Sequence, residues 1–397
     1  MNLINKRYRI LFVIPTLKKG GAERLLLNIV NELQKRSDFE CLVVTMYEGT
    51  DYPELTKTLN IVNCTSQVKL SVLKKNSAIY NDFFEIAHKF KPHIIHSHLF
   101  EAEILSRWKI LKNTIYFTHI HFNENQLSNF SLTTLLKKRK ATDFYEKQFI
   151  LKKYKLCKNN FIAISKHTER YLKITLPYSF EKQIHYLPNA IDYNAFYFNR
   201  FENDFNPEYK FLSIGRLVEI KNQVFLIGVI EELHKRNINA TLDILGDGPM
   251  KQNIQEDINK KGLSTFIKIH GIVNNVQDFL KTASLYLHSA TYEPFGLVLL
   301  EAMAAGLPVV ALNGGGNKEL ITNGKNGYIL NENNPKLFAD KIEKIINDTF
   351  LYKRMSVKAN DFAKEFDIRN YIKRLVALYY DAIENNYISI KKNEDDF

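Results

Sequence analysis

Short apolar runs alternate with stretches of helical periodicity along most of the chain. From Arg9 the text RILFVIP is an apolar run closed by Pro15; the loop TLKKGG follows, then AERLLLNIVNELQKR with apolar positions at helical spacing. This predicts a strand, a glycine turn and a helix. Further apolar runs recur at Cys41–Met46 (CLVVTM), His93–His98 (HIIHSH), Thr114–His119 (TIYFTH) and Phe161–Ser165 (FIAIS), with room for helices between them. Strands that are apolar throughout and alternate with helices belong to a parallel sheet covered on both faces.

The pattern breaks once, at Leu187–Lys210, where periodicity is lost and Asn, Pro and acidic residues gather as in a linker. A second alternation then starts: KFLSIGR, a helix near Asn222–Arg236, ATLDILG, a helix near Met250–Lys261, FIKIHG, LYLHS, a helix Phe295–Ala305 and PVVAL. The expected architecture is α/β, two tandem Rossmann-like doubly wound domains at residues 1–190 and 191–367. Residues 368–397 form a third segment: Ile368–Asn385 reads as a helix crossing back toward the first domain, and KKNEDDF as a frayed tail. The 397-residue length suits two domains.

Composition narrows the function class. Hydrophobic residues at 45% and charged residues at 25% exclude a disordered or fibrous chain. The formal charge of +12 is lopsided: residues 1–190 hold 30 basic and 16 acidic side chains, residues 191–397 hold 25 and 27. A basic first half suits an anionic substrate, an anionic membrane surface or nucleic acid, and nucleic acid is set aside because no recognition module accompanies the charge. Cys41, Cys64 and Cys157 are scattered and odd in number, which predicts free thiols, no disulfide and no zinc. The basic start and the short run ILFVIPTL lack a cleavage site, and no stretch approaches 18 uninterrupted apolar residues. The expected location is cytoplasmic or peripheral at a membrane.

Four features carry candidate chemistry. Gly20 and Gly21, between strand and helix, let backbone N–H groups approach an anion; a plain structural turn explains them equally, and the absence of G-x-G-x-x-G disfavours a dinucleotide. Arg216 ends a strand and Lys221 precedes a helix, two cations at the carboxyl edge of a parallel sheet, suited to a diphosphate or else simply solvated. The segment from Tyr292 to Pro308 places Glu293 and Glu301 eight residues apart, with Pro294 suited to the first helical position. Two such carboxylates can hold hydroxyls of one polar ligand while the N–H groups of Phe295, Gly296 and Leu297 point at a phosphate. A helix cap plus a chance surface Glu is the bland alternative, but a charged Glu301 within the apolar VLLEAMAAG needs a partner. The pairs His96/His98 and His119/His121 lie at strand ends, and metal binding there is not expected. Leu135–Lys158 carries nine Lys/Arg against Asp143 and Glu146; with Leu, Phe and Tyr interleaved it suits an anionic membrane or a solvated basic helix.

Taken in order, GGAERL, HSH, THIHF, AISKHT, LPNAID, SIGRLVEIKNQ, LGDGP, HGIV, the Glu293–Glu301 segment, NGGGNKELI and NGKNGYIL resemble the retaining nucleotide-sugar glycosyltransferases of the GT-B fold, family 4 type (group 1). The resemblance spans nearly the whole length. It implies two domains facing a cleft, with the donor held mainly by the second and the acceptor by the first. It implies that Arg216 and Lys221 bind the donor diphosphate, helped by backbone N–H groups at Gly20, Gly21, Gly296 and Leu297. Glu293 would hold the donor sugar, Glu301 the ribose, and the backbone around Ile272 the base, most often uracil. His119 or His121 would sit near the anomeric carbon; His121 is favoured because T-x-x-H reaches farther. No cofactor or essential metal is implied. The expected reaction moves a sugar from a nucleoside diphosphate sugar to a saccharide or lipid-linked saccharide in polysaccharide or lipopolysaccharide assembly, with retention of configuration. A nucleotide-sugar 2-epimerase, a sugar-phosphate-accepting synthase and a non-catalytic nucleotide-sugar-binding subunit are the alternatives.

Overall fold

The computed structural model describes residues 7–70, 77–128, 138–200 and 209–395. The chain forms two compact units, Met1–Asn189 with Ile368–Phe397, and Ala190–Asp367.

The first unit is built on β1 (Tyr8–Ile14), β2 (Phe39–Thr45), β3 (Ile61–Asn63), β6 (Ile94–His98), β7 (Ile115–Ile120), β8 (Asn160–Ala163) and β9 (Ile184–Tyr186), with a small antiparallel hairpin β4 (Gln67–Lys69) and β5 (Ser77–Ile79) beside it. The seven strands pair in the order β3-β2-β1-β6-β7-β8-β9, all parallel. The order reverses between β1 and β6, the point where sheets of this kind open a crevice at the strands' carboxyl ends. Helix Gly21–Gln34 forms because Leu26, Leu27, Ile29, Val30 and Leu33 recur at helical spacing and are all buried.

The sheet's interior holds one large polar cluster. Arg107 is fully buried, and its guanidinium donates to Ser97 Oγ (2.6 Å) on β6, to Thr118 Oγ1 (2.8 Å) on β7 and to Asn159 Oδ1 (3.0 Å) just before β8. It fastens three strands at once. Glu103, also buried, accepts from Thr118 Oγ1 at 3.3 Å and from the Tyr154 hydroxyl, and burial raises its carboxyl above the ordinary range.

The last helix spans Ile368–Asp395, so it runs through most of the segment that the sequence suggests is frayed. Tyr379 on this helix is buried against Phe39, His96 and Phe117 of the first unit, and Tyr380 donates to Asp38 Oδ2 at 2.6 Å.

The second unit contains β10 (Lys210–Ile214), β11 (Thr241–Leu245), β12 (Ile267–Gly271), β13 (Leu285–His288), β14 (Val309–Leu312) and β15 (Gly327–Leu330), parallel in the order β12-β11-β10-β13-β14-β15. Phe211, Leu242, Ile244, Leu285 and Val310 join helix residues Leu226, Ile230 and Phe338 in its core. Among the described residues no helix is long and apolar enough to cross a membrane.

One expected boundary is corrected. The helix expected over Phe295–Ala305 begins at Leu297 and ends at Ala304, so Pro294 lies in the preceding loop rather than at the first helical position. The loop stays extended because its backbone is already paired: Glu293 N–H donates to Gly314 C=O at 2.7 Å and Gly316 N–H to Glu293 C=O at 2.9 Å. Gly296, at φ 104°, then turns the chain into the helix, a conformation that favours glycine.

Candidate functional site

In the second unit the candidate residues converge at the carboxyl ends of β10 and β13. Arg216 follows β10, is exposed, and its guanidinium has no partner among the described residues. Its backbone is clasped by the loop after β11: Gly215 N–H donates to Leu245 C=O and Leu217 N–H to Asp247 C=O, both at 2.9 Å. The approach is so close that a Cβ on Gly246 would lie 2.0 Å from Gly215 C=O, and one on Gly248 2.3 Å from Leu217 C=O. LGDGP therefore serves to hold Arg216 in place.

Lys221 ends a short 3-10 turn (Glu219–Lys221), and its Nζ lies 2.6 Å from Glu293 Oε2, a pair formed across 72 residues of sequence. The loop after β13 anchors the same turn: Ser289 Oγ donates to Lys221 C=O at 2.8 Å and Thr291 N–H to Ile220 C=O at 2.9 Å. His288, the last residue of β13, places Nε2 3.2 Å from the same Glu293 oxygen. Burial alone would raise the Glu293 carboxyl; the His288 ring and the Lys221 ammonium outweigh it and hold the group at about 2. Glu293 is ionised at any physiological pH.

The glycines of NGGG make this placement possible. A Cβ on Gly314 would lie 2.7 Å from Glu293 N, and one on Gly316 1.8 Å from Pro294 C=O. Asn317 closes the loop, accepting from Gly314 N–H at 2.9 Å and donating to Leu312 C=O at 2.8 Å. Beyond Glu293, the N–H groups of Phe295, Gly296 and Leu297 carry no hydrogen bond among the described residues and stand at the start of helix Leu297–Ala304. Glu301 is buried on that helix, close enough to Tyr286 that its charge, with that of Glu293, adds to burial in raising the Tyr286 hydroxyl. Ile272 follows β12 with 64% of its surface exposed.

The candidates of the first unit separate into used and available groups. The N–H of Gly20, expected to face a phosphate, instead donates to the Tyr52 hydroxyl at 2.9 Å, while the Gly21 N–H has no hydrogen bond among the described residues. The Glu23 carboxylate lies against Gly20, where a Cβ would meet Oε2 at 2.1 Å, and burial raises its carboxyl.

His96, His98, His119 and His121 form a stack, with ring centroids 4.7 Å apart for His96/His98, 5.1 Å for His98/His121 and 4.4 Å for His119/His121. The register of β6 and β7 sets His98 directly beside His119. His96 Nδ1 meets the Tyr379 hydroxyl at 2.5 Å, His98 Nδ1 meets His121 Nε2 at 2.9 Å, and His119 Nε2 lies 3.4 Å from Asn189 Oδ1. Burial lowers the pKa of all four; His119 falls to about 3, and neighbouring rings depress the other three further. The stack is therefore neutral. Candidate ligand nitrogens of His96, His98 and His119 lie within 4.8 Å of one another. The ring planes, however, are only 13° apart for His96/His119 and 29° for His96/His98, which sets in-plane lone pairs side by side instead of aiming them at one ion. His119 is 1% exposed, whereas His121, just past β7, is half-buried and is the ring that reaches the surface.

Sequence patterns missed His288, the Gly314–Asn317 clasp, Tyr52 and the column of partners behind His121. The one available signal was the position of His288 at the end of the LYLHS run, five residues before Glu293.

The chain thus has two parallel α/β units, the second with cations and carboxylates at the carboxyl ends of its strands. Residues 19–195 match the model of Glycosyltransferase Family 4, and residues 197–362 match that of Glycosyl transferases group 1. The chain belongs to the group 1 glycosyltransferases and has their GT-B fold. It is 27% identical to the capsular polysaccharide biosynthesis glycosyltransferase CapH of Staphylococcus aureus, over 94% of this chain and 98% of CapH. It is 32% identical to an uncharacterized glycosyltransferase of Methanocaldococcus jannaschii over 44% of this chain and 50% of that protein. The chain spans half or less of the length of several relatives that it matches. The crystal structure of Anabaena HepE in complex with UDP and glucose superimposes with a TM-score of 0.75 at 20% identity, covering 94% of this chain and all of that one.

Proposed function

We propose that the chain is a retaining glycosyltransferase that takes a sugar from a nucleoside diphosphate donor, with UDP-sugars the first choice, and passes it to a saccharide or lipid-linked saccharide in surface glycan assembly. The observation that carries this reading is the Arg216, Lys221 and Glu293 constellation beside the unbonded N–H groups of Phe295, Gly296 and Leu297. Two cations and a helix start at the strands' carboxyl ends offset the negative charge that a leaving diphosphate develops, and electrostatic stabilisation of this kind is usually the largest catalytic contribution. With these groups in place the reaction needs no metal. Glu293, ionised and buried, accepts hydrogen bonds from the donor sugar; Glu301 takes the ribose, and the backbone beside Ile272 takes the base.

His121 serves the acceptor side from the first unit. The neutral ring offers one nitrogen outward while Nε2 is held by His98, so it can bond a hydroxyl without adding charge. Displacement occurs on the same face as departure, with the leaving phosphate oxygen taking the acceptor's proton. CapH and the UDP-bound HepE support the glycan setting and the uridine base by similarity.

The basic helix Lys138–Cys157 is a less direct support for membrane docking: Lys147 Nζ donates to Leu127 C=O at 2.9 Å and Lys153 Nζ to Trp108 C=O at 2.6 Å, so both ammonium groups are committed internally. Residues 135–137 of the basic segment lie outside the described residues.

The test is a thermal-shift titration with UDP, GDP, ADP and TDP in the presence of EDTA. Saturation at a hundred times Kd stabilises by about 2.7 kcal/mol. One nucleotide should raise the wild-type midpoint, and Lys221→Ala should lose the rise. No response to any nucleotide, or an undiminished response in Lys221→Ala, overturns the assignment.

A further inference from the structure

Lys221 stands in two roles that conflict. Its ammonium is 2.6 Å from Glu293 Oε2, yet the donor reading requires the same ammonium at a diphosphate. An ammonium that turns away leaves a buried carboxylate, and a buried charge stripped of its partner is strongly unfavourable. A second partner is already in place. His288 Nε2 lies 3.2 Å from the same oxygen, is buried, and has no aligned hydrogen bond in this state. The ring is 3% exposed overall and stacks on Tyr286, whose hydroxyl donates to Ile214 C=O at 3.1 Å, so the imidazole has a fixed seat at the end of β13. The backbone of Lys221 is fastened to Ser289, which leaves side-chain rotation as the way for the ammonium to reach a phosphate.

We propose that His288 is a positioning residue that takes over Glu293 when Lys221 turns to the donor diphosphate. The Nε2–H then donates to Oε2, and the carboxylate stays charged and aimed at the donor sugar. This rests on the donor reading given above. The handover explains why a buried histidine nitrogen, a group that ordinarily finds a partner, waits within reach of a carboxylate already paired.

A double-mutant cycle with UDP as the probe tests it by calorimetry. In the wild-type background His288→Leu should weaken UDP binding tenfold or more, because Lys221 can leave only by stranding Glu293. In the Glu293→Gln background the same change should cost less than twofold, since no carboxylate is left to strand. His288→Gln, whose side-chain N–H can still donate, should recover most of the loss. Equal loss in both backgrounds makes His288 a packing residue and overturns the proposal, as does no loss in either. A wild type and a Glu293→Gln variant that both bind no nucleoside diphosphate overturn the donor reading itself. Should His288→Leu fail to fold, the nitrogen-15 spectrum of His288 in wild-type protein decides: UDP should shift Nε2–H downfield as it bonds to the carboxylate, and an unmoved signal refutes the handover.

Discussion

Replacing Glu293 by Gln removes one charge and almost no volume, and the structure fixes how much stability should go with it. Glu293 sits at about 2 against an ordinary 4.5. A depressed carboxyl contributes stability above its unfolded pKa, and that contribution is lost as pH falls through the folded pKa. A depression of that size corresponds to roughly 3 kcal/mol at pH 7 and at pH 4.5 and to about 1 kcal/mol at pH 3. Glutamine stands in for the protonated form, so Glu293→Gln should be less stable than wild type by about 3 kcal/mol at pH 7, with the difference fading below pH 4. Trp108 is the only tryptophan and lies in the first unit, so its fluorescence reports that unit alone. Calorimetry at several pH values, with Trp108 emission as the internal reference, separates the two units. A difference that stays constant from pH 7 to pH 3, or one below about 1 kcal/mol at pH 7, refutes the placement of Glu293 between Lys221 and His288.

Three further outcomes follow from the same geometry. Gly316→Ala puts a methyl where Pro294 C=O lies 1.8 Å away; it should destabilise the second unit by about 1–3 kcal/mol and abolish nucleotide binding, read by thermal shift. Arg107→Met leaves Asn159, Thr118 and Ser97 without their shared donor and should cost about 3 kcal/mol or more in a urea titration followed by Trp108. His119, held at about 3 when folded, takes up a proton near 6.5 only on unfolding, so stability falls as pH drops below that value. Between pH 7.5 and 5 this histidine alone should cost about 2 kcal/mol, and a flat Trp108-monitored midpoint over that range contradicts a neutral stack.

Much of the fold is legible because parallel strands announce themselves as apolar runs: β6, β10 and β11 fall within the expected segments, and β1 and β7 overrun theirs by one residue. Short or mixed strands are not. β3 and β15 are three and four residues long with half-buried positions, too little pattern to separate from loop. Helix Leu297–Ala304 starts late because Glu293 is bound to Gly314 and Gly316, a tertiary pairing that overrides the helical preference of Pro294. Residue types and spacing locate Lys221 and Glu293, but not their direct contact, which depends on β10 and β13 lying side by side in the sheet. The free N–H of Gly20 fails for the same reason, since Tyr52 arrives from a distant loop. In the sequence only reach favours His121 over His119, whereas burial is what separates the two rings in the structure.

The most direct test of the central claim is a transfer assay in the presence of EDTA. UDP-sugars are incubated with saccharide and lipid-linked acceptors, UDP release is followed, and the anomeric configuration of the product is read by proton NMR. UDP release should depend on acceptor, Lys221 and Glu293, and the sugar should be joined in the donor's own configuration. An inverted product, or an isomerised nucleotide-sugar formed without transfer, contradicts that claim.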